Sequence, residues 1–283
     1  NDEILNENWY YISKNQKLNE KFIRKFQDKV DWDCISEHQK LSESFIQEFY
    51  YKVDWRNISK YQKLSEKFII KNQDHVNWTN ISGCQNLNES FIRKFKNKVN
   101  WICISECQKL NEDFIREFQD KINWNDISYS QKLSESFIRE FQNKLNWNDI
   151  SLYQKLNEKF IREFQNKLNW SYISEFQKLN EKFIREFKDK VDWYYISFIQ
   201  ELSENFIQKF KDKVNWDEIS SHQKLSMKFI KKFKNKINFK ILLDKFEYNV
   251  DKLSFNNKNR YCIRSINYNS NYLSLSEFRK LAL

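Results

Sequence analysis

Cys84, Cys103 and Cys107 are the first residues to weigh for chemistry. Cys103 and Cys107 stand four apart, which one helix would bring to one face, and Cys84 precedes Cys107 by 23 residues. Three thiolates brought together resemble part of a zinc ligand set. No fourth ligand is evident and no CxxC occurs, so the better account is small residues filling varied positions. Cys34 and Cys262 complete an odd set of five without framework spacing, which suggests reduced thiols in a cytosol-like compartment. The three His (His38, His75 and His222) are scattered, and no Cys-His or Ser-His-acid set follows from spacing. A single Gly, Gly83, excludes the glycine-rich loops that cradle phosphates. The residues therefore offer no catalytic, cofactor-binding or metal-binding set, and the chain reads as a non-enzyme that needs no cofactor.

What must position these residues is a repeat. All ten Trp fall on one ladder, Trp9, Trp32, Trp55, Trp78, Trp101, Trp124, Trp147, Trp170, Trp193 and Trp216, each step being 23 residues. Phe239 takes the next rung, after which the pattern decays. Counting from Trp, Ile follows at position three, Ser at four, Gln at seven and Leu at nine. Ser or Asn comes at ten, Glu at eleven, Phe at thirteen, Ile at fourteen, Phe at seventeen and an aliphatic residue at twenty-one. Asp or Asn at twenty-two precedes the next Trp.

This spacing predicts two helices per repeat. Asp or Asn before Trp and Ser or Asn after Leu are good N-caps. Trp, Ile, Ser and Gln form one stripe of the first helix, and Phe, Ile, Phe and the aliphatic residue form one stripe of the second. Helices this short are not stable alone, and one hairpin cannot bury so many large apolar groups. Stacked hairpins can, which explains a period that never slips. A leucine-rich repeat would need an L-x-x-L-x-L signature, which is absent. The expected fold is all-α, an α-solenoid of about ten 23-residue helical hairpins forming a superhelix. It would comprise a lead-in at 1–8, the array at 9–238 and a divergent, basic C-terminal cap at 239–283. Trp is expected in the core, Ser at close helix approaches, and Gln bonding a tight connection or the neighbouring repeat. Asn72 replaces the Phe of position seventeen, and with Gly83 it marks a weak joint at residues 70–84.

The phrase W-x-x-I-S-x-x-Q-K-L-S-E-x-F-I, well carried by "QKLSESFIREF" at Gln131 to Phe141 and "QKLNEKFIREF" at Gln177 to Phe187, resembles the short tryptophan-containing repeats of amoeba-infecting giant viruses, the mimivirus relatives. The resemblance covers about residues 9–238. A composition poor in Gly, Pro and Ala agrees with an AT-rich genome. Some such proteins are similar to F-box proteins, but this chain shows no F-box. The resemblance implies a host or viral protein partner and the cytoplasm of an infected host cell. No apolar run is long enough for a membrane span, and no secretion signal is visible in this chain.

Function is then sought in the letters that change, which are positions one, two, five and six after Trp. They lie opposite the core stripe of the first helix. One varied face on a constant scaffold is how solenoids present a binding surface. Drift on a solvated surface accounts for Lys, Glu, Asn and Ser there. It accounts poorly for Leu152, Tyr153, Tyr172, Phe176, Tyr194, Tyr195, Phe198 and Ile199, the candidate protein-binding residues. Packing between adjacent hairpins is the alternative reading of this cluster. Nucleic acid is the second candidate partner. Residues 1–227 hold 36 Lys/Arg against 35 Asp/Glu, whereas residues 228–283 hold 13 against 4. A nearly neutral array argues against a phosphate-tracking groove, and leaves Lys228, Lys231, Lys232, Lys234 and Lys236 at the basic end as candidate contacts.

Overall fold

In the computed structural model, residues 8–242 are described, and every regular element among them is helical. Each repeat folds for local reasons. The Asp or Asn before Trp accepts a bond from the backbone two or three residues on, as in Cys34 N–H to Asp31 at 2.9 Å. Seven residues later the helix stops at Gln, whose backbone is extended. Ser or Asn then caps the second helix, as in Phe183 N–H to Asn180 at 2.9 Å. That helix ends after six residues at the Phe of position seventeen.

Among the described residues, those up to 146 form one compact unit and those from 147 on another. In the first unit the leading helices are α1 (Trp9–Asn15), α3 (Trp32–His38), α5 (Trp55–Tyr61), α7 (Trp78–Cys84), α9 (Trp101–Cys107) and α11 (Trp124–Ser130). The second helices alternate with them as α2 (Glu20–Lys25), α4 (Glu43–Glu48), α6 (Glu66–Lys71), α8 (Glu89–Lys94), α10 (Glu112–Glu117) and α12 (Glu135–Glu140). In the second unit the leading helices are α13 (Trp147–Tyr153), α15 (Trp170–Phe176), α17 (Trp193–Ile199) and α19 (Trp216–His222). Their followers are α14 (Glu158–Glu163), α16 (Glu181–Glu186), α18 (Glu204–Lys209) and α20 (Met227–Lys232). Within each unit every leading helix packs against the leading helix of the next repeat. The fold is the α-solenoid of helical hairpins that the period predicts. Helical residues resume at Phe239, with Asn238 accepting from Ile241 N–H at 3.3 Å. The rest of the expected C-terminal cap, from 243 on, lies outside the described residues, as do residues 1–7 of the lead-in.

The core is the repeated set of Ile at three, Phe at thirteen and Ile at fourteen. Ile173, Phe183 and Ile184 are all fully buried. Gln and Ser, the polar members of the stripe, fasten one repeat to another. The Gln177 side-chain oxygen accepts the Leu156 N–H at 3.0 Å, and its amide donates to the carbonyls of Gln154 and Ser151 at 2.9 and 3.4 Å. Ser174 donates to the Trp170 carbonyl at 2.7 Å and accepts the Asp192 N–H at 2.9 Å. Buried turns are thereby satisfied from the neighbouring repeat, since an unmade buried bond would be costly.

Trp is core on one face only. It stays half-buried in every repeat. Trp170 lies 6.3 Å from Phe183 and 4.8 Å from Phe187 between ring centroids, and its Nε1–H donates to the Gln165 carbonyl at 2.9 Å. The Lys190 ammonium sits 5.7 Å from the Trp170 ring centre, and the same Lys-on-Trp arrangement recurs along both units. Indole suits this place, with an apolar body and a polar handle.

The third repeat departs from this arrangement. Asn72 is 3% exposed and donates to the Phe68 carbonyl at 3.0 Å. His75 takes the place of the Lys over Trp55, with ring centres 5.8 Å apart, and is hydrogen-bonded to the Tyr50 hydroxyl. The amide of Asn72 is thus satisfied within its own turn.

Candidate functional site

The exterior of the second helices is occupied by bonds between repeats. The Arg162 guanidinium bridges Glu158 of its own helix at 3.4 Å and Glu186 of the next repeat at 3.0 Å. It also lies 4.9 Å from the Phe183 ring centre. Arg93 and Arg116 repeat the fork in the first unit. The Glu of position eleven accepts the backbone N–H of the next second-helix cap, as Glu181 does from Ser203 at 2.7 Å. Sequence alone shows the pairing within one helix. The pairing across repeats needs the stack, which brings side chains 24 positions apart together.

The exterior of the leading helices is different. In the second unit α13, α15, α17 and α19 lie side by side in that order. The candidate residues on them divide in two groups. Tyr153, Phe176, Tyr194 and Ile199 are 56, 51, 47 and 46% exposed. Leu152, Tyr172, Tyr195 and Phe198 are half-buried. Positions five and two thus turn partly toward neighbouring helices, while positions six and one face outward. The cluster is therefore part packing between hairpins and part exposed surface. Tyr153, Phe176 and Ile199 occupy position six of three successive repeats and make an exposed apolar row. The half-buried members support it. Tyr172 lies 6.3 Å from Phe176, Tyr194 lies 5.3 Å from Tyr195 and 6.3 Å from Phe198, and Phe198 lies 4.4 Å from His222.

Carboxylates of adjacent repeats act on two of these tyrosines. The negative charge of Glu175 on α15 holds the Tyr195 phenol above its usual range. The charge of Glu218 on α19 raises the Tyr194 phenol likewise. Glu218 also meets His222 at 3.1 Å. No family of known proteins matches this chain, and neither does any curated protein or any solved structure.

In the first unit the same face carries a polar hollow lined by Asp33, Asp54, Arg56, Asn57, Lys60, Tyr61 and Asn80. Asn80 reaches the Arg56 carbonyl at 2.9 Å, and Asn57 reaches the Asp33 carbonyl at 3.3 Å. Cys103 and Cys107 close over the Gly83 side of α7: a methyl group there would stand 3.5 Å from the Cys103 Cβ, 3.7 Å from the Cys103 Sγ and 3.9 Å from the Cys107 Sγ. Burial pushes the thiols of Cys103 and Cys107 up, and pushes the buried Cys34 thiol up to about 11. These are fillers rather than activated thiolates. Among the described residues no group of three His, Cys, Asp or Glu side chains is arranged to hold a metal ion, and Cys262 lies outside them. No helix among the described residues is long and apolar enough to cross a membrane.

At the basic end, Lys228, Lys231, Lys232, Lys234 and Lys236 are all exposed. Two of them are tied into the stack. Lys232 donates to Gln208 at 2.9 Å, and Lys236 pairs with Asp212 at 3.0 Å beneath Trp216. In this repeat Met227 and Lys232 stand where earlier repeats such as the seventh have Glu158 and Glu163, so the acidic half of the second-helix ladder ends here.

Proposed function

We propose that the chain is a non-enzymatic repeat scaffold that binds another protein through the variable face of its leading helices, centred on Tyr153, Phe176, Tyr194 and Ile199. The observation that carries this reading is the exposed apolar row at position six, on a face whose neighbouring face is occupied by inter-repeat bonds. Contiguous exposed apolar surface marks a partner site, and rigid aromatic rings are its usual anchors. The half-buried Tyr172, Tyr195, Leu152 and Phe198 brace those anchors. The resemblance to giant-virus repeats supports a host or viral partner met in the cytoplasm of an infected cell.

The test is affinity capture from infected cells with the unmodified chain and with a Tyr153→Ser, Phe176→Ser, Ile199→Ser variant, both shown to be equally helical and equally stable. The expected result is a specific protein retained by the first and lost from the second. Equal retention by both would remove this face from the function.

A second reading has its own observation. Lys228, Lys231 and Lys234 lie where the acidic complement ends, and among the described residues no carboxylate pairs with them. A nucleic-acid contact at this end would give a salt-dependent gel shift that Lys231→Glu with Lys234→Glu abolishes. An unshifted probe at low salt would reject it.

A further inference from the structure

From the charge of the same face, we infer that the partner segment docking on α13, α15 and α17 is cationic, an apolar stretch of protein bearing Lys or Arg. This rests on the docking reading above and names its chemistry. The sixteen outward positions of the four leading helices in the second unit hold Asp149, Glu175, Asp217 and Glu218, and no Lys or Arg. The equivalent positions in the first unit hold Asp33, Glu37, Glu106 and Asp126 against Lys14, Arg56 and Lys60. The aromatic group and the loss of basic residues therefore coincide. The turn after the leading helix adds to it. Lys155, Lys178 and Lys224 occupy position eight in three of these repeats, but Glu201 takes that position beside the densest aromatic group, Tyr194, Tyr195, Phe198 and Ile199.

The arrangement matches a guanidinium or ammonium group in two ways. The exposed side chains of Phe176, Tyr194 and Ile199 are accompanied by the outward carboxylates of Glu175 on α15 and Glu218 on α19, the helices on either side of α17. Glu218 meets His222 at 3.1 Å, and among the described residues no Lys or Arg pairs with Glu175 or Glu218. A cation between the rings would gain attraction from the aromatic faces and from the carboxylates together. An acidic partner or a phosphate backbone would instead place like charges together, which disfavours docking.

Selection from a random-peptide display library on the intact chain tests this directly. Binders are sorted by whether the Tyr153→Ser, Phe176→Ser, Ile199→Ser variant loses them. Among those lost, Lys and Arg should be enriched over Asp and Glu alongside aromatic or aliphatic residues. The best such peptide should bind about tenfold more weakly to a Glu175→Lys, Glu218→Lys variant and weaken with added salt. Conservative Glu175→Gln with Glu218→Gln should give a smaller loss, which separates charge from damage to the fold. Enrichment of acidic or uncharged peptides that still need the apolar row would overturn the cationic partner and leave the docking reading standing. Absence of any peptide sensitive to the apolar row would overturn both. So would oligonucleotide binding at this face. Self-association lost in Phe176→Ser would overturn the foreign cationic segment by making a second copy the occupant.

Discussion

The two outer faces of each hairpin carry opposite assignments. The second helix presents Glu at position eleven in nine of ten repeats and Arg at position fifteen in six, and the structure engages both with the next repeat. The leading helix presents a different set in every repeat, and its bonds to neighbouring repeats differ from joint to joint, as in Ser130 to the Ser105 carbonyl at 2.8 Å and Ser171 to Asp192 at 3.1 Å. A solenoid repeats only what its joints require. The joints made by Ser, Gln and the position-eleven Glu therefore recur, and the leading-helix exterior, whose bonds differ from repeat to repeat, is free to vary. In the second unit that freedom has produced an apolar row rimmed by carboxylates, and in the first a mixed polar surface.

The largest effect that sharpens this contrast is between two phenylalanines of one repeat. Phe183 is fully buried, whereas Phe176 is 51% exposed. Phe183→Ala should cost about 3–5 kcal/mol in urea unfolding, and Phe176→Ala less than about 1 kcal/mol. Equal losses would place Phe176 in the core and end its role as an anchor.

Next is the buried amide that joins repeats. Gln200→Leu would leave the Leu179 N–H and the Ser174 and Gln177 carbonyls without their bonds. The expected cost is about 1–3 kcal/mol for each buried group left unpaired. A loss no larger than that of an outward substitution would mean that the joints rest on apolar packing alone.

Gly83 tests the free face from the opposite direction. A methyl there meets Cys103 at 3.5 Å, an ordinary contact. Gly83→Ala should therefore gain up to about 1 kcal/mol from helix propensity. It should also slow amide exchange across 70–84 relative to 139–153. A destabilised variant would show that Cys103 and Cys107 need that space.

Arg162→Gln removes one fork of the charged ladder. Because the pairs are partly exposed, the cost should be about 0.2–1 kcal/mol and should shrink in high salt. A larger, salt-insensitive loss would point to packing of the Arg stem on Phe183.

The smallest effect is at Asp126, where burial, and then Glu106, raises the carboxyl above its ordinary value of 3.8. One of its oxygens has no partner. A raised carboxyl penalises the folded state once ionised, so the native protein should lose a little stability as pH climbs above about 3.8, through the raised value. Asp126→Asn should remove that loss, with no difference from the native protein at lower pH. An unchanged pH profile would show that Asp126 is solvated in both states.

The helices, their caps and most of the core were legible in the sequence because they depend on spacing within one repeat. Trp at position zero, Ile at three and Phe at thirteen announce two stripes, and Asp or Asn before Trp announces the start. The roles of Ser174 and Gln177 were legible only as a need for partners. The candidate face was legible as a set of variable letters, but its division was not. Angular position on one helix places positions one, two, five and six on the outside. Packing of α15 against α17 decides that Tyr172 and Tyr195 are half-buried while Phe176 and Tyr194 stand out.

The amino-acid sequence by itself determined the period, the hairpin and the stacking, because no shorter unit could bury those side chains. Tertiary structure alone decided that Trp keeps one face outside under a Lys, that Arg162 reaches Glu186, and that Glu175 and Glu218 flank the paired tyrosines. Each of these joins residues in different repeats or across the two helices of a hairpin. Such contacts depend on the distance and rotation between helices, which the pattern along one helix does not contain.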